Sequence, residues 1–296
     1  MGAMTALMLL AAVPPLDRIL ERLSEEAEVF AQKAPYVVAR ERLLHRGRLS
    51  PPRFRPRVGA KATQMPLAYV QREVLSEYGW GPAPGNPADL REFRQVVAVD
   101  GKQIKKPEKA RLALAMNMAS DDDRERKRML QDFERYGMIG AATDFAQDIV
   151  LFRRRSLPNY RFAIKGSGDA GGQAATIVGF QQARGQDGAR VYHGNQLERV
   201  GLEGEIWIRE RDLLPLRIVI FIATVENRVK ILHTGQVDYF QSTHGVLLPS
   251  QVLYRKTEGE NLLVENHASY DSYRMFRVET EIKFTPEETV PAPARP

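Results

Sequence analysis

Gly166, Gly168 and Gly171 in "GSGDAGG" stand at the spacing of a dinucleotide-binding fingerprint. That fingerprint works where a strand enters the glycines and a helix leaves them, because the free N–H groups of the helix N-terminus receive the pyrophosphate. "NYRFAIK" (Asn159–Lys165) supplies the strand. "QAATIVGFQQAR" (Gln173–Arg184) does not supply the helix, since Thr176, Ile177 and Val178 disfavour a helix start. The segment alternates and stops at "GQDG", so it reads as a second strand. The glycines are then a hairpin loop with Asp169 as a turn residue, and no nucleotide is expected there.

Asp121, Asp122 and Asp123 could hold a metal, but "RERKRMLQDFERY" follows at once. Carboxylates there cap a helix N-terminus and suit its dipole. The histidines are His45, His193, His233, His244 and His267, and none forms H-E-x-x-H or a pair at helical spacing. The one arrangement that could gather a metal is His233 meeting His267 across a sheet. Asp238 and Glu265 could pair as carboxylates, although acids on strand faces are ordinarily solvated. No G-x-S-x-G elbow occurs. The chain has no cysteine, which excludes disulfides, thiolate metal sites, a thiol nucleophile and a lipid-anchored cysteine. These residues predict no catalysis, no metal and no cofactor.

Hydrophobic residues make up 43% and charged residues 27% of the 296, an ordinary balance for a globular chain. The net charge is +6, yet no basic run is longer than the three residues of Arg153–Arg155 and no aromatic–basic interleaving typical of single-strand binders occurs, so nucleic acid is not expected. A basic surface suits anionic lipid or an acidic partner instead. No stretch approaches the roughly 18 apolar residues that cross a bilayer, so membrane contact is expected to be transient at most. "MTALMLLAAVPP" (Met4–Pro15) holds a short apolar run from Ala6 to Val13. Residues 1–15 are read either as a secretion signal whose start is missing or as an apolar segment packed on the fold.

The elements follow from periodicity. Leu16, Ile19, Leu20, Leu23, Ala27 and Phe30 recur at helical steps before Pro35. Tyr36–Leu49 reads as extended, Ser50–Pro66 as an irregular loop, and the chain to Ile104 as an antiparallel meander interrupted at Gly81–Pro87. An Asp100-Gly101 turn lies near its end. Residues 107–155 form a helix-prone insertion, with a second helical piece in "ATDFAQDIVLFRR". From Asn159 onward strands follow one another, with turns at Glu226-Asn227, Thr243–Gly245 and Glu258–Glu260.

"GEIWI", a turn and "LPLRI", then "VDYF…GVLLPSQV", then "FRVETEIKF" resemble the outer-membrane lipoprotein carrier (LolA-like) superfamily over Gly204–Phe284. The resemblance implies an α+β fold, a strongly curved antiparallel sheet (an incomplete β-barrel) with helices covering its concave face. It implies an exported, periplasmic protein whose apolar cavity takes a lipid, an acyl chain or a lipoprotein by reversible partition. Segments near Leu16–Gln32 and Asp144–Phe152 would act as the lid.

Alternation places Ile206 and Ile208 on one face of their strand, and Leu216, Ile218, Ile220 and Ile222 on one face of the next. Val246, Leu248, Val252 and Tyr254 follow on a third strand, and Phe276, Val278, Ile282 and Phe284 on the last. The expected cavity lining is therefore Ile206, Ile208, Leu216, Ile218, Ile220, Val252, Phe276, Val278 and Ile282. The other reading of these faces is a filled core, in an interaction or scaffold module of the cell envelope that grips a protein partner. One domain is expected over 16–284, followed by a disordered tail at 285–296.

Overall fold

The computed structural model describes residues 14–49, 67–83, 86–118, 123–138, 145–183, 189–193, 196–226, 228–278 and 282–290. Helix α1 (Leu16–Lys33) follows Pro15 and buries Ile19, Leu23, Ala27 and Phe30, the stripe its periodicity predicts. It gives way to a 3-10 turn at Ala34–Tyr36, where Pro35 cannot donate to a helical ladder.

The strands are β1 (Val37–Arg48), β2 (Tyr69–Ala83), β3 (Asn86–Val99), β4 (Lys102–Gln103), β5 (Tyr160–Asp169), β6 (Ala174–Gln182), β7 (Ala189–His193), β8 (Gln196–Val200), β9 (Glu203–Arg209), β10 (Pro215–Glu226), β11 (Val229–Gln241), β12 (Leu247–Glu258), β13 (Asn261–Val278) and β14 (Ile282–Phe284). Eleven run side by side in the order β4-β3-β2-β1-β13-β12-β11-β10-β9-β6-β5, with β14 paired to β13 and β7-β8 a separate hairpin. Every pairing is antiparallel, and β5 does not pair with β4, so the curved sheet stays open. The fold is the α+β, incompletely closed sheet that the sequence predicts.

Register aligns the apolar positions into a continuous row on the inner face. Val178, Ile206, Ile218, Val237, Val252, Ala268, Leu43 and Val74 stand opposite one another across eight strands, and all are buried. The matching rows on the outer face are mixed: one runs Trp207, Arg217, Asp238, Gln251, Ser269 and Arg42, while Val219, Leu253 and Leu44 also point outward. Helix α1 and the turn of 3-10 helix at Asp148–Phe152 cover the inner face, joined by Met129 and Phe133 of α3 (Asp123–Arg135). Helix α2 (Pro107–Met118) lies on the other face, where Met118 sits against Gly79 and Gly81 of β2 and buries Val38, Phe93 and Phe276.

Several expectations change. The proline–glycine break at Gly81–Pro87 shortens, because β2 runs to Ala83 and β3 starts at Asn86. Pro82 sits where β1 no longer pairs with β2, which leaves β2 a single neighbour, β3, whose register shifts at Pro82/Ala83. Gly166 and Gly168 lie inside β5, and the turn is confined to residues 170–173, where Gly172 N–H donates to Asp169 Oδ1 at 2.8 Å. Strand β6 leaves the glycines, not a helix. The second helical piece of the insertion is only the 3-10 turn at Asp148–Phe152. Residues 285–290 of the expected tail are tied down, with Tyr273 and Glu288 exchanging backbone hydrogen bonds. Residues 1–13, Asp121 and Asp122 lie outside the described residues.

Gly204 marks the closest approach in the sheet, since an added Cβ would lie 1.9 Å from the Val219 carbonyl oxygen. Gly204→Ala is expected to cost about 2 kcal/mol or more in urea unfolding. Gly201→Ala, where nothing lies within 4 Å, should leave the midpoint within about 0.5 kcal/mol of the parent.

Candidate functional site

The inner face is the candidate site, and its lining follows from alternation along β6, β9, β10, β11 and β12. Ile206, Ile208, Ile218, Ile220 and Val252 belong to one buried core with Leu23 and Phe30 of α1 and with Ile149 and Phe152 of the 3-10 turn. Phe152 meets Phe180 edge-on at 5.0 Å, and Phe30 meets Trp80 at 5.3 Å. The interior is packed with side chains.

Two expected lining residues lie elsewhere. Leu216 occupies a register shift between Pro215 and Arg217, so it leaves the row of Ile218 and Ile220 and packs on Ala170, Ala175 and Trp207. Phe276 follows Ser272, whose φ is +57°, and the pairing of β13 with β1 shifts register at Val38/Arg40, close by. Tyr273 still faces the inner core, whereas Phe276 joins Leu114 and Met118 under α2. Val278 and Ile282 pair through their backbones, and their side chains lie outside the described residues.

A strap at residues 145–153 lies across the inner face, packed into the core through Ala146, Ile149 and Phe152 and tied to the sheet by polar contacts as well. Ala146 N–H donates to Glu92 Oε1 at 2.9 Å, Gln147 Nε2 donates to the Leu90 carbonyl at 2.7 Å, and Ile149 N–H donates to Tyr239 Oη at 3.2 Å. Arg153 joins the strap to α1 by an ion pair with Glu28 at 2.9 Å. Partners on the sheet thus take the N–H groups at the start of the turn, which have no partner within it. Phe145 lies over Gly235, where no side chain intervenes, and its ring is 5.1 Å from that of Tyr254.

Glu92 is charged and buried, and Arg94 makes that possible. Arg94 grips Glu41 through Nε at 2.7 Å and Nη2 at 2.8 Å, and Nη2 also reaches Glu92 at 2.7 Å. Burial works against the Arg94 cation, but the Glu41 and Glu92 carboxylates outweigh it and hold its pKa well above the ordinary value. The Tyr78 ring stacks 4.9 Å from the guanidinium, and burial pushes the Tyr78, Tyr239, Tyr270 and Tyr273 hydroxyls well above their usual range. Tyr160, beside the strap, is pushed up to about 12 by burial and by Asp148.

These polar residues escaped the sequence reading. The available signal was phase: Glu41 alternates with Ala39 and Leu43 on β1, and Glu92 and Arg94 with Leu90 and Val96 on β3. Opposite charges in apolar phase on separate strands are what a buried ion pair requires.

The histidines do not converge. His233 is on the inner side, bonded to Tyr254 Oη at 2.9 Å, whereas His267 faces outward beside Gln251. His45 is buried with Nδ1 2.7 Å from Asn266 Oδ1, and burial lowers its pKa. His244 pairs with Glu288, and the side chain of His193 lies outside the described residues. Asp238 and Glu265 line one outer cleft of about 320 Å³, with Asp238 bonded to Arg217 and Glu265 to Arg255.

No family model and no curated protein matches the chain. Among the solved structures that resemble it are three at 10% identity. They are a DUF1329 family protein from Desulfovibrio piger (TM-score 0.34, covering 88% of this chain and 93% of that one), a domain described as an outer membrane lipoprotein-sorting protein from Vibrio parahaemolyticus (0.36, 88% and 92%), and a LolA superfamily protein from Nitrosomonas europaea (0.29, 91% and 96%).

Arg94→Met leaves Glu41 and Glu92 buried without their cation and is expected to destabilise the protein by about 3–5 kcal/mol in urea unfolding. His45 gives a pH signature. Its folded pKa is depressed below 6.5, so the unfolded chain binds a proton first and stability falls as pH drops from 7.5 towards 5.5. Thermal melts across that range should show His45→Gln losing less of its midpoint than the parent.

Proposed function

We propose that this chain is an exported carrier or binding protein that holds a lipid, an acyl chain or the acyl chains of a lipoprotein against the inner face of its sheet. The observation that supports this most is the way the face is covered. A continuous apolar row across eight strands lies under the amphipathic helix α1, part of α3 and a strap that is hydrogen-bonded to the sheet. Export agrees with the apolar run at 6–13, and delivery to an envelope protein partner would complete the cycle.

The mechanism is partition with lid displacement. A guest chain takes the place of Ile19, Leu23 and Phe30, whose exposure costs about 5–9 kcal/mol together at about 1.5–3 kcal/mol each. At about 0.8 kcal/mol per methylene, about 6–11 buried methylenes offset that cost. Long chains therefore open the fold and short ones do not. No covalent step and no cofactor enters.

The packing of the interior favours a second reading, a non-catalytic interaction module with a permanently filled core. Detergent-free purification followed by lipid mass spectrometry, with uptake of fluorescent fatty acids, separates the two. The carrier reading expects a near-stoichiometric acyl species, uptake of a 16-carbon chain but not an 8-carbon one, and faster uptake when Arg153→Gln loosens the strap from α1. A lipid-free protein that takes up neither chain, in the parent or in Arg153→Gln, contradicts it and leaves the interaction module.

A further inference from the structure

A cleft of about 570 Å³ opens where the β9–β10 turn, the β5–β6 turn and the edges of β11 and β12 meet. Its polar wall carries Arg209, Arg211 and Arg217 with Gln173, Ser250 and Gln251. Arg209 is fully engaged, by Asp212 at 2.6 and 2.8 Å and by Gln173 at 2.9 Å. Arg217 gives Nε and Nη2 to Asp238 and lays its guanidinium 5.6 Å from the Trp207 ring, and its Nη1 makes no hydrogen bond among the described residues. Arg211 is 72% exposed and spends only Nε, at 3.3 Å from Asp212, so both its terminal nitrogens are open among the described residues. Three guanidiniums against the two carboxylates Asp212 and Asp238 leave a net positive site, and Glu210, though adjacent in sequence, does not line it.

The opposite wall is apolar and continuous with the interior. Leu214, Tyr239 and Leu247 line the cleft and also belong to the core that contains Ile206 and Ile218. Asp212 lies close enough to Glu26 of α1 for its charge to raise the Glu26 pKa, although burial is the larger cause, which sets the cleft beside the covering helix.

We propose that this cleft binds the phosphate of an anionic amphiphile, with Arg211 and Arg217 Nη1 donating to the phosphate oxygens and the acyl chain running past Leu214 and Leu247 into the interior. The assignment rests on the carrier reading and adds to it the class of headgroup. Guanidinium nitrogens left open beside a bound carboxylate are suited to charge-assisted bonds with phosphate oxygens.

The test compares three probes on the full chain: 1-oleoyl-lysophosphatidate, 1-monoolein, which lacks only the phosphate, and glycerol 3-phosphate, which lacks only the chain. Trp207, beside Arg217, reports binding by its fluorescence, and calorimetry gives the affinity. Lysophosphatidate should bind about 10-fold or more tighter than monoolein, with glycerol 3-phosphate weaker than either. Arg211→Glu combined with Arg217→Lys, which keeps the partner of Asp238, should erase that preference and leave monoolein affinity unchanged. Equal affinity for lysophosphatidate and monoolein, or a preference that survives the double variant, overturns the headgroup site while the carrier reading stands. Glycerol 3-phosphate binding as tightly as lysophosphatidate assigns the cleft to a free phosphate ester and overturns the amphiphile. Failure of both lipids to bind overturns the carrier reading together with the inference built on it.

Discussion

An antiparallel sheet with one continuous apolar face has to bury that face, and here the described residues offer only α1, α3 and the strap at 145–153 to do it. Everything distinctive in the structure follows from that shortage. Alternation along β6, β9, β10 and β12 keeps the inner row apolar, whereas the outer face mixes polar and apolar residues and is covered by α2 only around Val38, Phe93 and Phe276. The sheet curves around α1 and remains open, which leaves an interior bounded on one side by strands and on the other by short segments.

The cover is fastened in two ways with different consequences. Helix α1 is held by the apolar stripe Ile19, Leu23, Ala27 and Phe30, a non-directional contact that another apolar body can replace. The strap is held by directed hydrogen bonds from Ala146 and Ile149 to Glu92 and Tyr239, and these need the Glu92 charge to be stabilised inside the fold. Arg94 supplies that stabilisation while bracing β1 against β3 through Glu41. Charge in the core thus helps to position the strap, which also shares the apolar core with α1 through Ala146, Ile149 and Phe152.

Much of this was legible in the sequence because it depends on period alone. The α1 stripe, the strand–turn–strand around the glycines and the shared face of Ile206 and Ile208 need nothing beyond alternation and turn chemistry. What failed needed knowledge of register. Leu216 and Phe276 each keep the right phase on paper, but a bulge at Pro215–Arg217 and the positive φ at Ser272 turn them away from the inner row. The strap looked helical because its composition is helical, whereas Ala146 and Ile149 give their N–H groups to Glu92 and Tyr239 of the sheet. Glu41 and Arg94 are 53 residues apart in sequence and meet only once β1 and β3 flank β2.

The central claim is that the covering segments separate from the sheet without the sheet unfolding. Native-state hydrogen exchange read residue by residue, with and without oleate, tests it most directly. The account predicts that amides of α1 and of Ala146 and Ile149 exchange through a local opening well below the global unfolding free energy, that β11 and β12 exchange only globally, and that oleate changes protection in α1 and the strap alone. Amides of α1 and the strap that exchange only together with β11 and β12, at the global rate and regardless of oleate, would contradict it.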